Sequence, residues 1–171
     1  TAVTDKAFEQ RLATCEARFG EQLPVHVPTH NAGVIEFVSG PVITATVSFD
    51  VCAHGHPPIE LYGTEGSLRV PDPNTFGGDV QVFRRERGQW ETVGYTHGYK
   101  ENMRAIGAAD LATAHASGRP HRCSGQLAQH ALEIMNAFDK SSQSGAGVDL
   151  TTTCDQPAAL PLGLVEGLLD A

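Results

Sequence analysis

Asp50 and His54 stand at a spacing that could support proton transfer. A carboxylate and an imidazole four residues apart share one face of a helix, where they could act as an acid–base pair. Residues 42 to 51, however, alternate apolar and polar side chains, which predicts a half-buried β-strand. If the chain stays extended to residue 54, the two Cα atoms lie about 13 Å apart. We therefore expect no direct proton relay between them.

His54 and His56 could offer two imidazoles to a metal ion. A zinc site needs at least three protein ligands, and no third His, Cys or carboxylate stands at a supporting spacing. We expect no metal site in this chain. Loops carried on a rigid sheet commonly present ligand contacts, so the two histidines are predicted to line a substrate pocket. The alternative is a loop whose histidines form only local hydrogen bonds.

Four more residues are candidates for contacts with a polar substrate. His121 and Arg122 come just before a predicted helix and could bind an anion together with its first amides. Tyr99 and Arg104 lie at the entrance to an earlier predicted helix. The alternative for all four is an ordinary exposed position in a loop.

The glycine and serine patterns exclude two common classes of enzyme. Gly77-Gly78 and Gly145-Ala146-Gly147 do not lie between a strand and a helix of a β-α-β unit, so no helix N-terminus is aimed at a pyrophosphate. Ser39-Gly40 and Ser124-Gly125 lack the strand-to-helix turn of a serine hydrolase. We expect no nucleotide cofactor to bind this chain alone.

The elements that must carry these residues are mostly strands, followed by two helices. Turn residues and alternating patterns predict strands at 24–30, 33–38, 42–51, 59–62, 67–70, 79–84, 90–95 and 148–150. Gly63 and Gly66 are expected to supply the positive φ of a tight turn. A spacing of three to four residues predicts helices from about 99 to 117 and from near 124, with a further short helix at 6–17. The prediction is an α+β fold, an open and mostly antiparallel sheet with helices packed on one face.

Size and charge limit the functions further. A chain of 171 residues fits a single domain, in which residues 1–23 and 158–171 are expected to be peripheral. Only 12 Lys and Arg residues and a net charge of −8 argue against a nucleic-acid partner. No apolar run approaches the length of a membrane span, so we expect no membrane partner and a cytoplasmic location.

The cysteines and the first residue add two expectations. Cys15, Cys52, Cys123 and Cys154 are widely separated, which disfavours a zinc knuckle and a disulfide framework. They are predicted to be reduced, half-buried thiols. The chain begins at Thr1 rather than Met, and we expect it to be part of a longer protein.

Several segments together resemble a known family. The most specific are E-L-Y-G-T-E-G-S-L at 60–68 and R-P-H-R-C-S-G at 119–125, with further likeness at 42–50 and 131–135. From about residue 25 to 161, the chain resembles the C-terminal domain of the Gfo/Idh/MocA oxidoreductases. The family's glycine-rich fingerprint, its E-K-P lysine and its D-x-x-x-H helix are all absent here. The resemblance therefore assigns no catalytic residue to this chain.

The resemblance implies a division of labour between two domains. The missing dinucleotide-binding domain would hold NAD or NADP in the full-length protein. The present domain would shape the pocket for a sugar, polyol or related carbinol and would build a homo-oligomer through its sheet. Thr44, Thr46 and Ser48, on the polar face of the central strand, are the expected oligomer contacts. We expect the chain to be inactive by itself.

Two other interpretations remain open. The chain could be a non-enzymatic module that binds a ligand or dimerises through its sheet. It could also be a histidine-based metal enzyme, which would require stoichiometric metal in the purified protein.

Overall fold

A computed structural model describes residues 1–13, 16–101 and 103–170. The chain divides into two compact units. Thr1–His54 and Gly125–Cys154 form the first unit, and Gly55–Ser124 and Asp155–Ala171 form the second. Within the described ranges, no helix has both the length and the apolar composition needed to cross a membrane.

Strands dominate both units. In chain order the strands are β1 (Ala2–Asp5), β2 (Gln10–Leu12), β3 (Gln22–Pro24), β4 (His30–Glu36), β5 (Val42–Ser48), β6 (Ile59–Tyr62), β7 (Gly66–Val70), β8 (Val80–Arg84) and β9 (Trp90–Val93). The helices are α1 (Ile106–Ser117) and α2 (Gly125–Ser144). The strand pairings are antiparallel and no sheet closes on itself, so the predicted α+β class with open antiparallel sheets is confirmed.

The strands that the structure describes belong to three separate sheets, whereas the sequence had suggested one. β1, β4 and β5 form a three-stranded sheet in the order β1-β4-β5, and β2 pairs only with β3. The second unit contains the four-stranded sheet β6-β7-β8-β9. The central strand and the strand-turn-strand that follows it thus lie in different sheets.

Helix α2 packs against the β1–β4 side of the first sheet. Gly33 of β4 pairs with Ala2 of β1, and a Cβ built on Gly33 would lie 3.0 Å from the Phe138 ring. The backbone amides of Ala2 and Thr4 donate to the hydroxyls of Ser141 and Ser142, each at 3.0 Å. The helix therefore covers the small residues of this sheet and also satisfies outward-facing amides of β1.

The same face of the sheet is open along β5. Ala45 pairs with Gly33, so Ile43, Val47 and Phe49 lie on the side that faces α2. Their side chains are 44%, 62% and 71% exposed. The expectation that helices cover the apolar side is thus met at β1 and β4 but not at β5.

The sheet of the second unit is a meander with an aromatic and cationic cluster on one face. Trp90 of β9 pairs with Phe83 of β8, and their ring centroids are 5.6 Å apart. The Arg69 guanidinium lies 4.0 Å above the Trp90 ring, and its Nε is 3.5 Å from Glu60. The hairpin predicted at 79–95 is present as β8 and β9.

The turn between β6 and β7 forms as predicted, but for a different reason. Neither Gly63 nor Gly66 has a positive φ, so the expected left-handed backbone is wrong. A Cβ on Gly66 would instead lie 2.1 Å from the carbonyl oxygen of Phe83. Glycine is needed at position 66 because a neighbouring strand approaches its Cα closely.

The two long helices are confirmed and the short one is wrong. The helix predicted from about 99 to 117 is present as α1, but it begins only at Ile106 and ends at Gly118 with φ +73°. The segment predicted as a helix at 6–17 contains β2 and a 3₁₀ turn at Glu16–Arg18, because its backbone pairs with β3. Residues 14 and 15 of that segment lie outside the described ranges.

Two predicted strand arrangements are also wrong. The hairpin expected between 24–30 and 33–38 does not form, since β4 pairs with β1 and β5 instead. Residues 148–150 are not a strand, because the Glu133 side chain rather than a ladder holds the segment that follows them. The strand predicted at 42–51 ends at Ser48.

The cysteines that the structure describes are free thiols. Cys154 is half-buried as expected, whereas Cys52 and Cys123 are exposed. Cys15 lies outside the described residues.

Candidate functional site

An open cleft in the second unit brings together two of the residues proposed from sequence. Its volume is about 410 Å³. The segment before α1, the first turn of α1 and the C-terminal tail supply its lining. The lining residues are Tyr99, Met103, Arg104, Ala105, Ile106, Ala109, Glu166, Gly167 and Leu169. Tyr99 and Arg104 were the two candidates at the entrance to this helix.

Tyr99 is a buried wall of the cleft, with 8% of its surface exposed. Its hydroxyl donates to the Leu168 carbonyl at 2.6 Å and accepts from the Gly167 amide at 3.0 Å. A hydroxyl engaged in this way holds the backbone of the tail. The ring is therefore part of the cleft lining, and the hydroxyl has structural partners.

Arg104 provides the positive charge of the cleft. It is exposed, and its Nη2 donates to Asn74 Oδ1 at 2.8 Å. Asn74 lies in a 3₁₀ turn that is capped by the Asp72 side chain. The turn thus orients the guanidinium, which carries five N–H donors in all and can offer others to a ligand oxygen.

Glu166 also lines the cleft, and its carboxylate is negative where Arg104 is positive. Aliphatic side chains form most of the remaining lining. The aliphatic members are Met103, Ala105, Ile106, Ala109 and Leu169. Helix α1 begins without a side-chain cap and has no acidic residue in its first turn. Such a cleft can bind a small polar molecule by donors and acceptors at its edge and by apolar contact beneath.

Arg122 contacts a buried carboxylate, and neither His121 nor Arg122 lines this cleft. Asp110 of α1 is 4% exposed. Its Oδ1 accepts from Arg119 Nη2 at 2.6 Å and from Arg122 Nη1 at 2.5 Å, and its Oδ2 accepts from the Arg122 amide at 2.7 Å. Arg122 Nε also donates to the Ala158 carbonyl at 3.1 Å. The guanidinium of Arg122 is thus engaged within the protein, while His121 is half-buried.

The electrostatics of Asp110 follow from these contacts. Burial by itself raises the pKa of this carboxyl group, but hydrogen bonds from Arg119 and Arg122 outweigh it and lower the pKa to about 2. The hydrogen bond to Asp110 in turn raises the pKa of Arg119. Asp110 is ionised at neutral pH and fixes both arginines.

His54 and His56 are exposed in the connection between β5 and β6, and the boundary between the two units falls between them. Among the described residues, no group of three His, Cys, Asp or Glu side chains could hold a metal ion. Thr44 and Thr46 are exposed on β5, and Ser48 is half-buried at its end.

Sequence reasoning missed Glu166, which comes from the distant tail, and Asp110. The signal for Asp110 was present, since an acidic residue occupied an otherwise apolar helical stripe. A carboxylate in that position is buried only when cations neutralise it, and two arginines follow nine and twelve residues later.

No protein-family model matches the chain, and no curated protein does. Solved structures do match. An oxidoreductase domain protein from Kribbella flavida has 16% sequence identity and a TM-score of 0.64, over 85% of this chain and 44% of its own. Levoglucosan dehydrogenase, in complex with NADH and L-sorbose, has 21% identity and a TM-score of 0.66, over 88% and 44%.

The chain therefore spans less than half the length of each of these matched proteins. At such low identities, the likeness concerns the fold. The resemblance inferred from the sequence is confirmed at that level: this chain has the fold of part of an oxidoreductase.

Proposed function

We propose that the chain is the C-terminal, substrate-side domain of a nicotinamide-dependent oxidoreductase of the Gfo/Idh/MocA family, acting on a sugar, polyol or related carbinol. The observation that carries this proposal is the match to levoglucosan dehydrogenase, which covers 88% of this chain but 44% of that protein. The motifs at 60–68 and 119–125 support the same assignment independently of the fold.

The cofactor site would belong to the other domain. The described sheets are antiparallel and contain no β-α-β unit, so this chain offers no helix N-terminus to a dinucleotide at the end of a parallel strand. When bound, the nicotinamide supplies hydride exchange with the carbinol carbon. The residues described here would bind and orient the substrate, and proton transfer would fall to groups outside this chain.

The cleft supplies the groups for that task. Arg104 can donate to substrate hydroxyls and Glu166 can accept from them, while the Tyr99 ring and the aliphatic lining can contact the C–H face of a sugar. His54, His56, His121 and Arg122 are kept as candidates for the pocket of the full-length enzyme.

Calorimetry and the neighbouring coding sequence test the assignment. The 171-residue chain should give no heat of binding with NADH, and a clear heat would overturn the division between domains.

Roughly 120 to 150 residues with a G-x-G-x-x-G motif should be encoded before Thr1. A start codon close to Thr1 would instead favour a non-enzymatic binding or dimerisation module.

The cleft is tested by titrating the chain with L-sorbose and following amide chemical shifts. We expect shifts confined to the lining, including Ile106 and Ala109. Arg104→Met should weaken binding about five- to tenfold, because a hydrogen bond to a charged group is lost. Arg85→Met is the matched control, since Arg85 is an exposed arginine of the same unit outside this cleft.

The oligomer would form through the face of the first sheet opposite α2. Thr44 pairs with Val34, and Thr46 pairs with Ala32, which pairs in turn with Val3. Val3 and Val34 are 61% and 45% exposed, so the middle of this face combines β-branched and small side chains, while Asp5 and Glu36 place a carboxylate at each end. Such a surface suits a second copy of the same chain.

Sedimentation velocity tests the oligomer. Thr46→Lys should shift the chain to monomer by placing a charge at the centre of the face. Thr92→Lys, at an exposed threonine of the other unit, should leave the assembly unchanged. An assembly that survives Thr46→Lys would argue against this interface.

A further inference from the structure

The C-terminal tail forms one wall of the cleft and is held along its length. We call residues 163–170 the tail strap. The Gly163 amide donates to the Thr96 carbonyl at 2.7 Å, and the Gly98 amide donates to the Leu164 carbonyl at 2.8 Å. Leu164 and Leu169 are buried. The strap is thus anchored by its backbone at one end and by leucines at both ends.

The approach of the strap to the preceding segment leaves no room for a side chain. A Cβ on Gly98 would lie 2.8 Å from the Glu166 amide nitrogen. Tyr99, the next residue, binds the strap through its hydroxyl at Gly167 and Leu168. Glu166, Gly167 and Leu169 line the cleft, so any displacement of the strap changes the width of the cleft.

Asp170, the last described residue of the strap, is held by ion pairs with two arginines. Arg119 Nε contacts Asp170 at 2.8 Å, and Arg122 Nη1 lies 3.8 Å from the same carboxylate. Both arginines are oriented by Asp110, which is buried beneath them. Two cations therefore lie between two carboxylates, one in helix α1 and one in the strap.

We propose that Asp110 is a positioning residue for the cleft, which sets the tail strap in place through Arg119 and Asp170. This inference rests on the proposed function in one respect, namely that the cleft holds the substrate. Asp110 does not line the cleft, whereas Ile106 and Ala109 of the same helix do. Helix α1 thus lines the cleft directly and also holds the tail strap, which lines it too, through ion pairs.

Amide hydrogen exchange of the 171-residue chain, measured by NMR, tests the link. Asp170→Asn should accelerate exchange at Gly163 and Gly167 about fivefold, because one partly buried ion pair is lost, and should leave the amides of α1 unchanged. Asp170→Glu keeps the negative charge, so Gly163 and Gly167 should exchange as slowly in this variant as in the parent chain. Asp155→Asn, at an exposed carboxylate earlier in the same tail, is the control.

Asp110→Asn should accelerate amide exchange in the strap at least as much as Asp170→Asn does. The double variant should exchange no faster there than Asp110→Asn alone, since the two residues act through the same arginine. Unchanged exchange in Asp170→Asn, or an equal acceleration throughout α1, would overturn the proposal. The variant at Asp170 keeps the test valid if Asp110→Asn does not fold.

In the full-length enzyme, Asp170→Asn should raise KM for the sugar about fivefold and leave kcat unchanged. A constant KM despite faster exchange would overturn the role of the strap as a substrate wall. Because the exchange measurement uses neither substrate nor cofactor, its failure is distinguishable from failure of the oxidoreductase assignment.

Discussion

The substitution Gly66→Ala should destabilise the second unit severely. A Cβ at this position would lie 2.1 Å from the Phe83 carbonyl oxygen, whereas an unstrained contact needs about 3.5 Å. β7 must therefore move by about 1.4 Å from β8. The movement puts at risk two hydrogen bonds, from Gly63 N to Gly66 O at 2.8 Å and from Arg85 N to Glu65 O at 3.1 Å.

Each of these bonds contributes about 1 kcal/mol, and strain adds a similar amount, so the expected loss is about 3 kcal/mol. Urea unfolding followed by the fluorescence of Trp90, the one tryptophan of the chain, measures it in the same sheet. The midpoint should fall by about 2 M at an m-value near 1.5 kcal/mol/M.

Gly94→Ala is the matched control, because Gly94 belongs to the same unit and a Cβ there would meet no atom within 4 Å. Its φ is not positive, so alanine should be tolerated and the midpoint should change little or rise slightly. If the two variants unfold at the same urea concentration, the close approach of the strands does not explain the glycine.

Three further predictions concern the carboxylates and the tail strap. The lowered pKa of Asp110, about 2 against an ordinary 3.8, means that its ionised form stabilises the fold above about pH 4 and that this contribution is lost as the pH falls towards 2. Asp110→Asn should remove that part of the acid unfolding curve followed by tryptophan fluorescence, and an unaltered curve would contradict the linkage. Glu133 accepts hydrogen bonds from the amides and hydroxyls of Thr151 and Thr152, so Glu133→Gln should accelerate amide exchange at both threonines while α2 stays protected. Equal exchange in the variant and the parent would show that the carboxylate does not hold this segment. Gly98→Ala should displace the strap and lower the thermal midpoint, measured by circular dichroism, by several degrees relative to Gly94→Ala; similar midpoints would refute the steric argument.

Local features of the fold could be predicted from the sequence. The hairpins at 59–70 and 80–93 join strands across short turns, so pattern and turn residues identify both partners at once. The two long helices could also be predicted from the sequence. The end of α1, for example, is marked by Gly118, which takes the left-handed conformation required there.

Pairings between distant segments could not be predicted. Ala2 pairs with Gly33, more than thirty residues away, and no turn residue marks that partnership. Phe8 and Leu12 stand at helical spacing, but β2 gains its hydrogen bonds from β3, and this tertiary contact overrides the weak periodicity. A strand-turn-strand pattern likewise does not tell which sheet it joins.

The same distinction applies to the candidate site. Tyr99 and Arg104 are close in sequence and lie in one cleft. Glu166 reaches that cleft only because Gly98 lets the tail approach, and nothing near residue 166 in the sequence indicates it. The contacts of Arg122 could not be predicted from its position before α2, since they depend on the burial of Asp110 in another helix.

The two serines at the end of α2 suggest how β1 can diverge among related proteins. Ser141 and Ser142 bind main-chain amides, which every residue except proline possesses. The docking of α2 by this route does not depend on the side chain at Val3. Only Ala2, confined against Gly33, is limited in size. Related proteins should therefore keep the hydroxyls and the small residues where α2 docks, whichever side chains the rest of this strand presents to the opposite face.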